Sequence, residues 1–218
     1  MKKYPFPIGL IFNQRLLLFA FVITLLTFPS SPASAQSLEI MPGHNRIFVD
    51  VQWLKPLDQK FRFSLFSRTR ATIDYENQAD IFSGAYFNVT SKYGVGGSLV
   101  GKVGLNGAGG DAGVHYIKAT DKITFFGLAS VGLKRELELS WFSILRYTPF
   151  LGEKWKLYTS LELFTLFNSE GHAFSVQRIR VGVDRKGYQF GLGYNTSQAG
   201  SSFAGVIDNF GPFMRKAF

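Results

Sequence analysis

The sequence contains no cysteine, and beyond residue 35 it contains no long apolar run. Without cysteine the fold has neither disulfides nor thiolate metal sites, and the chain cannot be anchored as a lipoprotein. Without about twenty consecutive apolar residues, that part of the chain cannot cross a membrane as a helix. Acidic residues are also scarce, since 15 Asp and Glu oppose 24 Lys and Arg and leave a net charge of +9. No spacing of the three histidines suggests a metal site, and we expect no cofactor.

The first 35 residues have the organisation of a secretory signal peptide. Three basic residues and no acidic one precede an unbroken apolar run, 16–28, and small residues follow at Ala33 and Ala35. The apolar run is too short for a spanning helix, which needs about twenty residues. We therefore expect cleavage between Ala35 and Gln36. The remaining chain, 36–218, is one domain with a net charge of +6.

From Asn45 onward the side chains alternate with the period of a β-strand. Ile47, Val49 and Val51 fall on one face, while Asp50 and Gln52 fall on the other. The same alternation recurs over residues 123–133, 137–147, 155–163 and 179–184. Segments of this length, separated by Gly-, Pro-, Asn- and Asp-rich turns, are typical of strands that cross a bilayer. We predict an all-β fold, a closed antiparallel transmembrane β-barrel of about 12 strands, with 10 as the alternative.

The direction of the strands constrains their number. Eleven segments can be counted from Asn45, and a barrel with both chain ends in the periplasm needs an even number of strands. A short additional strand over Gln36–Met41 would make twelve, whereas one wrongly divided segment would make ten. With twelve strands, the longer Gly- and Asn-rich connections lie outside the cell and the tighter turns lie inside.

A secreted β-sandwich would also alternate, but two features favour a barrel in lipid. The polar face carries large aromatic residues, which suit a cramped interior: Phe66, Tyr86, Phe126, Phe142 and Phe164. Trp and Tyr recur near the segment ends, as interfacial girdles require: Trp53, Tyr75, Tyr93, Tyr147, Trp155 and Tyr194.

The final segment ends in the aromatic residue Phe218, after Phe210 and Met214 on the same face. It resembles the C-terminal targeting strand that the barrel insertion machinery reads. Together with 178–182 (RIRVG), the closing run 211–218 (GPFMRKAF) resembles small uncharacterised outer-membrane barrels of the Bacteroidota. The resemblance implies insertion into a bacterial outer membrane and implies no activity. Contact with lipopolysaccharide is expected of any barrel in that membrane.

Charged residues concentrate on the face predicted to line the lumen. The basic members are Arg62, Arg68, Arg70, Arg178 and Arg180. The acidic members are Asp50, Glu136, Glu138, Glu162 and Asp184. These groups form either an ion-pair plug in a closed structural barrel or a positive eyelet in a narrow channel that favours small anionic solutes.

Other functions have less support in the sequence. Adhesion through the outer loops is the alternative, although none of the loops is long. A lipid hydrolase is the remote alternative, because His172 and Ser175 differ by an odd number of positions and an extended strand places them on opposite faces. We expect no enzyme activity, no catalytic residues and no nucleic-acid partner. The oligomeric state and the solute stay open.

Overall fold

Twelve β-strands account for most of the residues that the computed structural model describes, 35–76, 78–104, 107–134 and 136–218. The strands are β1 (Ala35–Pro42), β2 (Arg46–Pro56), β3 (Phe63–Asp74), β4 (Ala79–Thr90), β5 (Val95–Gly104), β6 (Gly107–Ala119), β7 (Ile123–Gly132), β8 (Leu139–Tyr147), β9 (Lys156–Asn168), β10 (Gly171–Arg185), β11 (Tyr188–Ala199) and β12 (Gly205–Ala217). In the part of the chain described, no helix is long and apolar enough to span a membrane.

Each strand pairs antiparallel with its sequence neighbours, and β1 pairs with β12 to close the sheet. In the closing pair, Ser37 lies opposite Ala217 and Ile40 lies opposite Met214. Closure gives every strand two neighbours, which a sheet in lipid requires because no water is available there for unpaired backbone groups. The prediction of twelve strands is confirmed, and β1 supplies the additional strand expected over Gln36–Met41.

The barrel is polar inside and apolar outside. Among the described residues, 18 polar or charged side chains are buried against 10 hydrophobic ones. Large apolar side chains remain exposed on the outer wall, for example Leu99 at 57%, Val114 at 62% and Leu192 at 55%. In β2, Phe48, Asp50 and Gln52 point inward and alternate with the outward-facing residues. A soluble sandwich would reverse this arrangement, so the outer wall fits a lipid environment.

Two hydrophobic clusters fill much of the interior. Met41, Phe48, Tyr158 and Phe213 pack together where β1, β2, β9 and β12 face the lumen. On the other side Val100, Leu128, Phe142 and Ile144 pack with inward-facing aromatic residues: Tyr86, Phe126 and Phe164. Four of the five aromatic residues that the sequence assigned to the polar face therefore occupy the interior, and the fifth, Phe66, packs on Tyr86 with ring centres 5.3 Å apart.

We call the end where β1 begins and β12 ends the proximal end, and the opposite end the distal end. The expectation that the longer connections all lie at the distal end is wrong, because the longest, 148–155, is proximal. Two stretches whose Gly, Asn, Asp and Ser content is typical of turns, 107–111 and 195–199, instead belong to β6 and β11. Their Asn, Asp and Ser residues are compatible with strands here because the lumen is itself polar.

The two ends carry opposite charge. The basic rim consists of the Lys and Arg residues in or beside the proximal connections: Lys55, Lys60, Arg62, Lys92, Lys118, Lys122, Lys154, Lys156, Arg185, Lys186 and Lys216. Carboxylates dominate the described distal connections and strand ends: Asp74, Glu76, Asp80, Glu136, Glu138, Glu170 and Asp208. The barrel is therefore strongly dipolar along its axis.

A hydrogen-bond chain links four polar side chains inside the second cluster. Ser98 Oγ donates to Asn88 Oδ1 at 2.7 Å and lies 2.8 Å from His115 Nδ1. Thr90 Oγ1 lies 2.9 Å from His115 Nε2. Because the Ser98 hydroxyl donates its proton to Asn88, it must accept from His115 Nδ1–H. His115 Nε2 then accepts from the Thr90 hydroxyl. The imidazole is therefore satisfied as a neutral structural residue.

Replacing Ser98 with Ala is expected to lower the free energy of unfolding by about 1–3 kcal/mol, because it leaves two buried polar groups without their partner. The measurement is urea unfolding of the refolded protein in lipid vesicles. Ser83→Ala, which removes a more exposed hydroxyl 3.0 Å from Thr69, is the matched control. Equal losses in both variants would show that the buried chain contributes nothing.

Candidate functional site

Glu162 is the centre of an ion-pair cluster that bridges opposite walls of the barrel. Its carboxylate, in the middle of β9, accepts hydrogen bonds from Arg70 of β3 and Arg178 of β10. A third guanidinium, that of Arg68 on β3, lies 2.6 Å away at Nη1. Because β3 and β9 are six strands apart in a barrel of twelve, the contacts with Arg68 and Arg70 cross the lumen.

Asp50 of β2 completes the cluster from the other side. Arg68 donates to it in a two-pronged geometry, from Nε at 2.6 Å and from Nη2 at 2.8 Å. Gln52 Nε2 also donates to Asp50, at 2.6 Å, and Arg70 Nε lies 3.5 Å away. The paired geometry is the strongest form of an Arg–carboxylate contact. We call Asp50, Arg68, Arg70, Glu162 and Arg178 the arginine plug.

A distal vestibule ends at this plug. The rim of the vestibule includes Arg46, Asp80 and Asp208, whereas Phe48 and Arg178 lie deeper along their strands. The guanidinium carbon of Arg178 lies 5.0 Å from the centre of the Phe48 ring. The floor of the vestibule is therefore a cation stacked on an aromatic ring, and that cation belongs to the plug.

Arg180 forms a second buried ion pair, with Glu39. Its Nε and Nη2 lie 2.8 and 2.7 Å from Glu39 Oε1, and its Nη1 donates to Asn195 Oδ1 at 2.8 Å. Arg180 is on β10 and Glu39 is on β1, so the side chain spans β11 and β12. Glycines stand directly beside its path, because Arg180 pairs with Gly193 and Gly193 pairs with Gly211.

Two further inward arginines have only neutral partners. Arg146 Nη2 donates to Gln52 at 3.1 Å, and Arg215 donates to Tyr158, Gln189 and Ser37 at 3.2, 2.8 and 2.9 Å. Within the described residues, neither guanidinium lies within 4.0 Å of a carboxylate.

Arginines exceed carboxylates around the lumen. Six arginines point inward below the rim of the vestibule: Arg68, Arg70, Arg146, Arg178, Arg180 and Arg215. The carboxylates beside them are Glu39, Asp50, Glu162 and Asp184. Asp184 reaches this group only through Gln189, whose Nε2 donates to it at 2.8 Å. Lys102 and Asp111 form a further inward pair of opposite charges, so the lumen below the vestibule rim keeps a positive surplus.

The sequence placed several of these residues correctly on the inner face, and the structure brings Asp50, Arg68, Arg70, Glu162 and Arg178 together. Arg62 is placed differently, because β3 begins at Phe63 and Arg62 is exposed in the proximal turn. Glu136 is exposed in the distal connection, since β8 begins only at Leu139. Each lies past a strand end, where alternation no longer fixes the face.

Glu138 and Asp184 lie at the two mouths of the barrel. Glu138 is 3.6 Å from Lys134 and 4.0 Å from Lys102 at the distal end. Asp184 lies towards the proximal end and accepts from the Gly187 backbone as well as from Gln189. Three inward residues were not predicted from the sequence: Glu39, Arg146 and Arg215. Each lies an even number of positions from an inward residue of its own strand, Met41, Phe142 and Phe213 respectively, and this spacing could have identified all three.

The face argument for His172 and Ser175 is wrong. A β-bulge between His172 and Phe174 shifts the register, so that His172 lies opposite Phe167 and Ser175 lies opposite Thr165, both on the outer face. His172 Nδ1 donates to the Gly200 carbonyl at 2.8 Å, and its ring stacks on Phe203 at 3.9 Å. Ser175 Oγ donates to Gln198 at 3.4 Å. Neither group activates the other in this arrangement.

Both ends of the described chain lie at the proximal end of the barrel. Phe210, Met214 and Phe218 are about half exposed, and Phe210 and Met214 share the outer face of β12. Ala35 begins β1, and the carbonyl of Gln36 accepts from the Phe218 backbone at 2.9 Å. Ala33 lies outside the described residues. The targeting and cleavage roles stay predictions.

No known protein family and no curated protein matches the chain. Among solved structures it is similar to the KdgM porin, with a TM-score of 0.51 and 8% identity over 84% of this chain and 99% of that one. The structure of the KdgM porin in complex with disordered oligogalacturonate has a TM-score of 0.51 at 7% identity, over 84% of this chain and 99% of that one. LpxR from Salmonella typhimurium has a TM-score of 0.48 at 8% identity, over 84% of this chain and 100% of that one. Identity this low establishes the fold alone, so the chain is an outer-membrane-type β-barrel.

Proposed function

We propose that this protein is a non-enzymatic outer-membrane barrel whose bore is closed at rest by the arginine plug, and that it conducts small anions when the plug parts. The observation that carries the proposal is the convergence of three guanidiniums from β3 and β10 on the Glu162 carboxylate of β9. Because these side chains bridge opposite walls, a solute can pass only if the ion pairs separate.

The preference for anions follows from the surplus of positive charge. Arg146 and Arg215 have only neutral partners, so a passing anion would find two guanidiniums not already committed to a carboxylate. Rings of Arg and Lys give pores an anion preference in this way. The solved KdgM structure with oligogalacturonate supports the idea only as a case of the same fold.

Location and assembly are parts of the same proposal. Residues 1–35 act as a cleaved signal peptide, and Phe218, Met214 and Phe210 act as the signal for the insertion machinery. The exposed apolar wall contacts lipid, with lipopolysaccharide around the distal end. The distal connections are short, which gives adhesion through them little surface. The placement of Ser175 on Gln198 leaves the hydrolase alternative without an activated nucleophile.

The test is conductance in planar bilayers. The mature protein is expected to show rare or no steady steps. The double variant Arg70→Ala/Glu162→Ala removes one arginine side chain that crosses the lumen, together with the carboxylate that it contacts, and leaves the net charge unchanged. It is expected to conduct steadily. Lys134→Ala/Glu138→Ala, a charge-balanced pair at the distal mouth, is the matched control and is expected to stay silent.

Reversal potentials in a salt gradient then measure selectivity. The opened variant is expected to prefer anions, and adding Arg146→Gln and Arg215→Gln should reduce that preference. Steady steps from the unmodified protein would show that the plug does not close the bore. Silence from the opened variant, once its heat-dependent gel shift verifies folding, would favour a purely structural barrel.

A further inference from the structure

The basic rim at the proximal end is not used by the arginine plug. Its side chains surround the barrel, because each of the five proximal connections has at least one Lys or Arg in or beside it. Four carboxylates oppose them in or beside those connections: Asp58, Asp121, Glu153 and Asp184. Within the described residues, no rim cation lies within 4.0 Å of a carboxylate. The rim therefore keeps a large net positive charge, and its described cations form no ion pairs.

Exposed aromatic rings accompany these cations. Lys92 lies 4.9 Å from the ring centre of Tyr93, which is 75% exposed. Arg185 lies 5.1 Å from the ring of Trp155. Lys156 and Lys216 make the same contact with Phe150 and Tyr188, at 4.6 and 3.7 Å. Exposed aromatic residues on a barrel mark the level of the lipid headgroups. The rim cations therefore lie at headgroup level.

We propose that the basic rim binds the phosphates of anionic glycerophospholipids in the leaflet that surrounds the proximal end. Lys and Arg at headgroup level attract anionic lipid, at about fivefold in local affinity for each basic residue near the surface. The distal end carries mainly carboxylates and has no comparable ring of cations among its described residues, so its contact with lipid rests on the apolar wall. The rim therefore holds the proximal end at one leaflet. This binding does not depend on whether the plug opens.

The three tryptophans allow a local measurement. Trp155 lies within the rim, whereas Trp141 lies near the distal end of β8. In the mature protein, Trp53→Phe/Trp141→Phe leaves Trp155 as the reporter, and Trp53→Phe/Trp155→Phe leaves Trp141. Each is reconstituted in phosphatidylcholine vesicles with brominated phosphatidylglycerol, or with brominated phosphatidylcholine in its place. The ratio of quenching gives the relative affinity of each neighbourhood for the anionic lipid.

Trp155 is expected to report at least a threefold preference for phosphatidylglycerol, and Trp141 close to none. Lys154→Gln/Lys156→Gln/Lys186→Gln, which leaves Arg185 on Trp155, should bring the Trp155 preference close to one. Lys134→Gln at the distal end is the matched control and should leave it unchanged. If the triple variant does not fold, about 1 M salt applied to the unmodified rim should abolish the same preference by screening.

Two results would overturn the proposal. Equal preference at Trp155 and Trp141 would show that the rim does not select anionic lipid. Relief of the Trp155 quenching by lipopolysaccharide more effectively than by unlabelled phosphatidylglycerol would assign the rim to the other leaflet. Neither result concerns conductance, so this proposal and the proposed channel can fail separately.

Discussion

Replacing Glu162 with Gln is expected to lower the free energy of unfolding by about 3–5 kcal/mol, because removing one partner of a buried ion pair leaves the other charge uncompensated. The effect should be large here, since Glu162 is 5% exposed and three guanidiniums converge on its carboxylate. Asp50 would then be the remaining carboxylate of the arginine plug. Asp50 already pairs with Arg68 and Arg70, and Glu39 already pairs with Arg180, so neither carboxylate can replace the one removed without losing its own partner.

The measurement is urea unfolding of the mature protein in lipid vesicles, followed by the heat-dependent gel shift. Glu170→Gln, at an exposed distal turn, is the control and should change stability by no more than about 0.5 kcal/mol. Adding Arg178→Met to Glu162→Gln should restore part of the loss by removing one unpaired guanidinium. An unfolding midpoint for Glu162→Gln equal to that of the control would show that the cluster does not stabilise the barrel.

Replacing Gly193 with Val is expected to cost a similar amount, about 3–5 kcal/mol, because it displaces the Arg180 side chain from Glu39. A Cβ at Gly193 would lie 2.8 Å from Met41 Sδ and 3.1 Å from both Cδ and Nε of Arg180. Neither neighbour can move freely, since Met41 is fully buried and Arg180 is held by Glu39 and Asn195. The glycine is therefore required by the path of the arginine.

Gly101→Val is the matched control for this substitution. Gly101 lies in β5, and a Cβ there would meet no heavy atom within 4 Å. Valine at that position projects into lipid and should be tolerated to within about 1 kcal/mol. Urea unfolding of both variants separates the close approach of Arg180 from any general effect of valine. Comparable losses at the two positions would contradict the assigned role of Gly193.

The alternation of polar and apolar side chains along the strands was enough to predict the barrel and to assign residues to its inner and outer faces. In β2, the residues expected to face lipid and those expected to face the lumen do so, because a strand has an exact two-residue period. The requirement for an even number of strands led to β1, since a barrel with both chain ends on one side closes only with an even count. Both results depend on local geometry, which the sequence carries.

Local deviations escaped the sequence for a physical reason. The bulge between His172 and Phe174 adds one residue to β10 and reverses the face of His172, and the nearby Gly171 was interpreted only as part of the preceding turn. The exact start of β3 and of β8 moved Arg62 and Glu136 out of the lumen. A single displaced residue exchanges the two faces, so errors at strand ends and bulges fall directly on the predicted site.

The sequence by itself determined that this chain forms a barrel with an arginine-rich, aromatic interior, because parity places each side chain inside or outside. Only the tertiary structure decided which charges meet. Glu162 reaches Arg68 across the lumen, and Arg180 reaches Glu39 across two intervening strands, past Gly193. These contacts depend on the curvature of the closed sheet and on the reach of long side chains. The spacing of residues along one strand predicts neither of them.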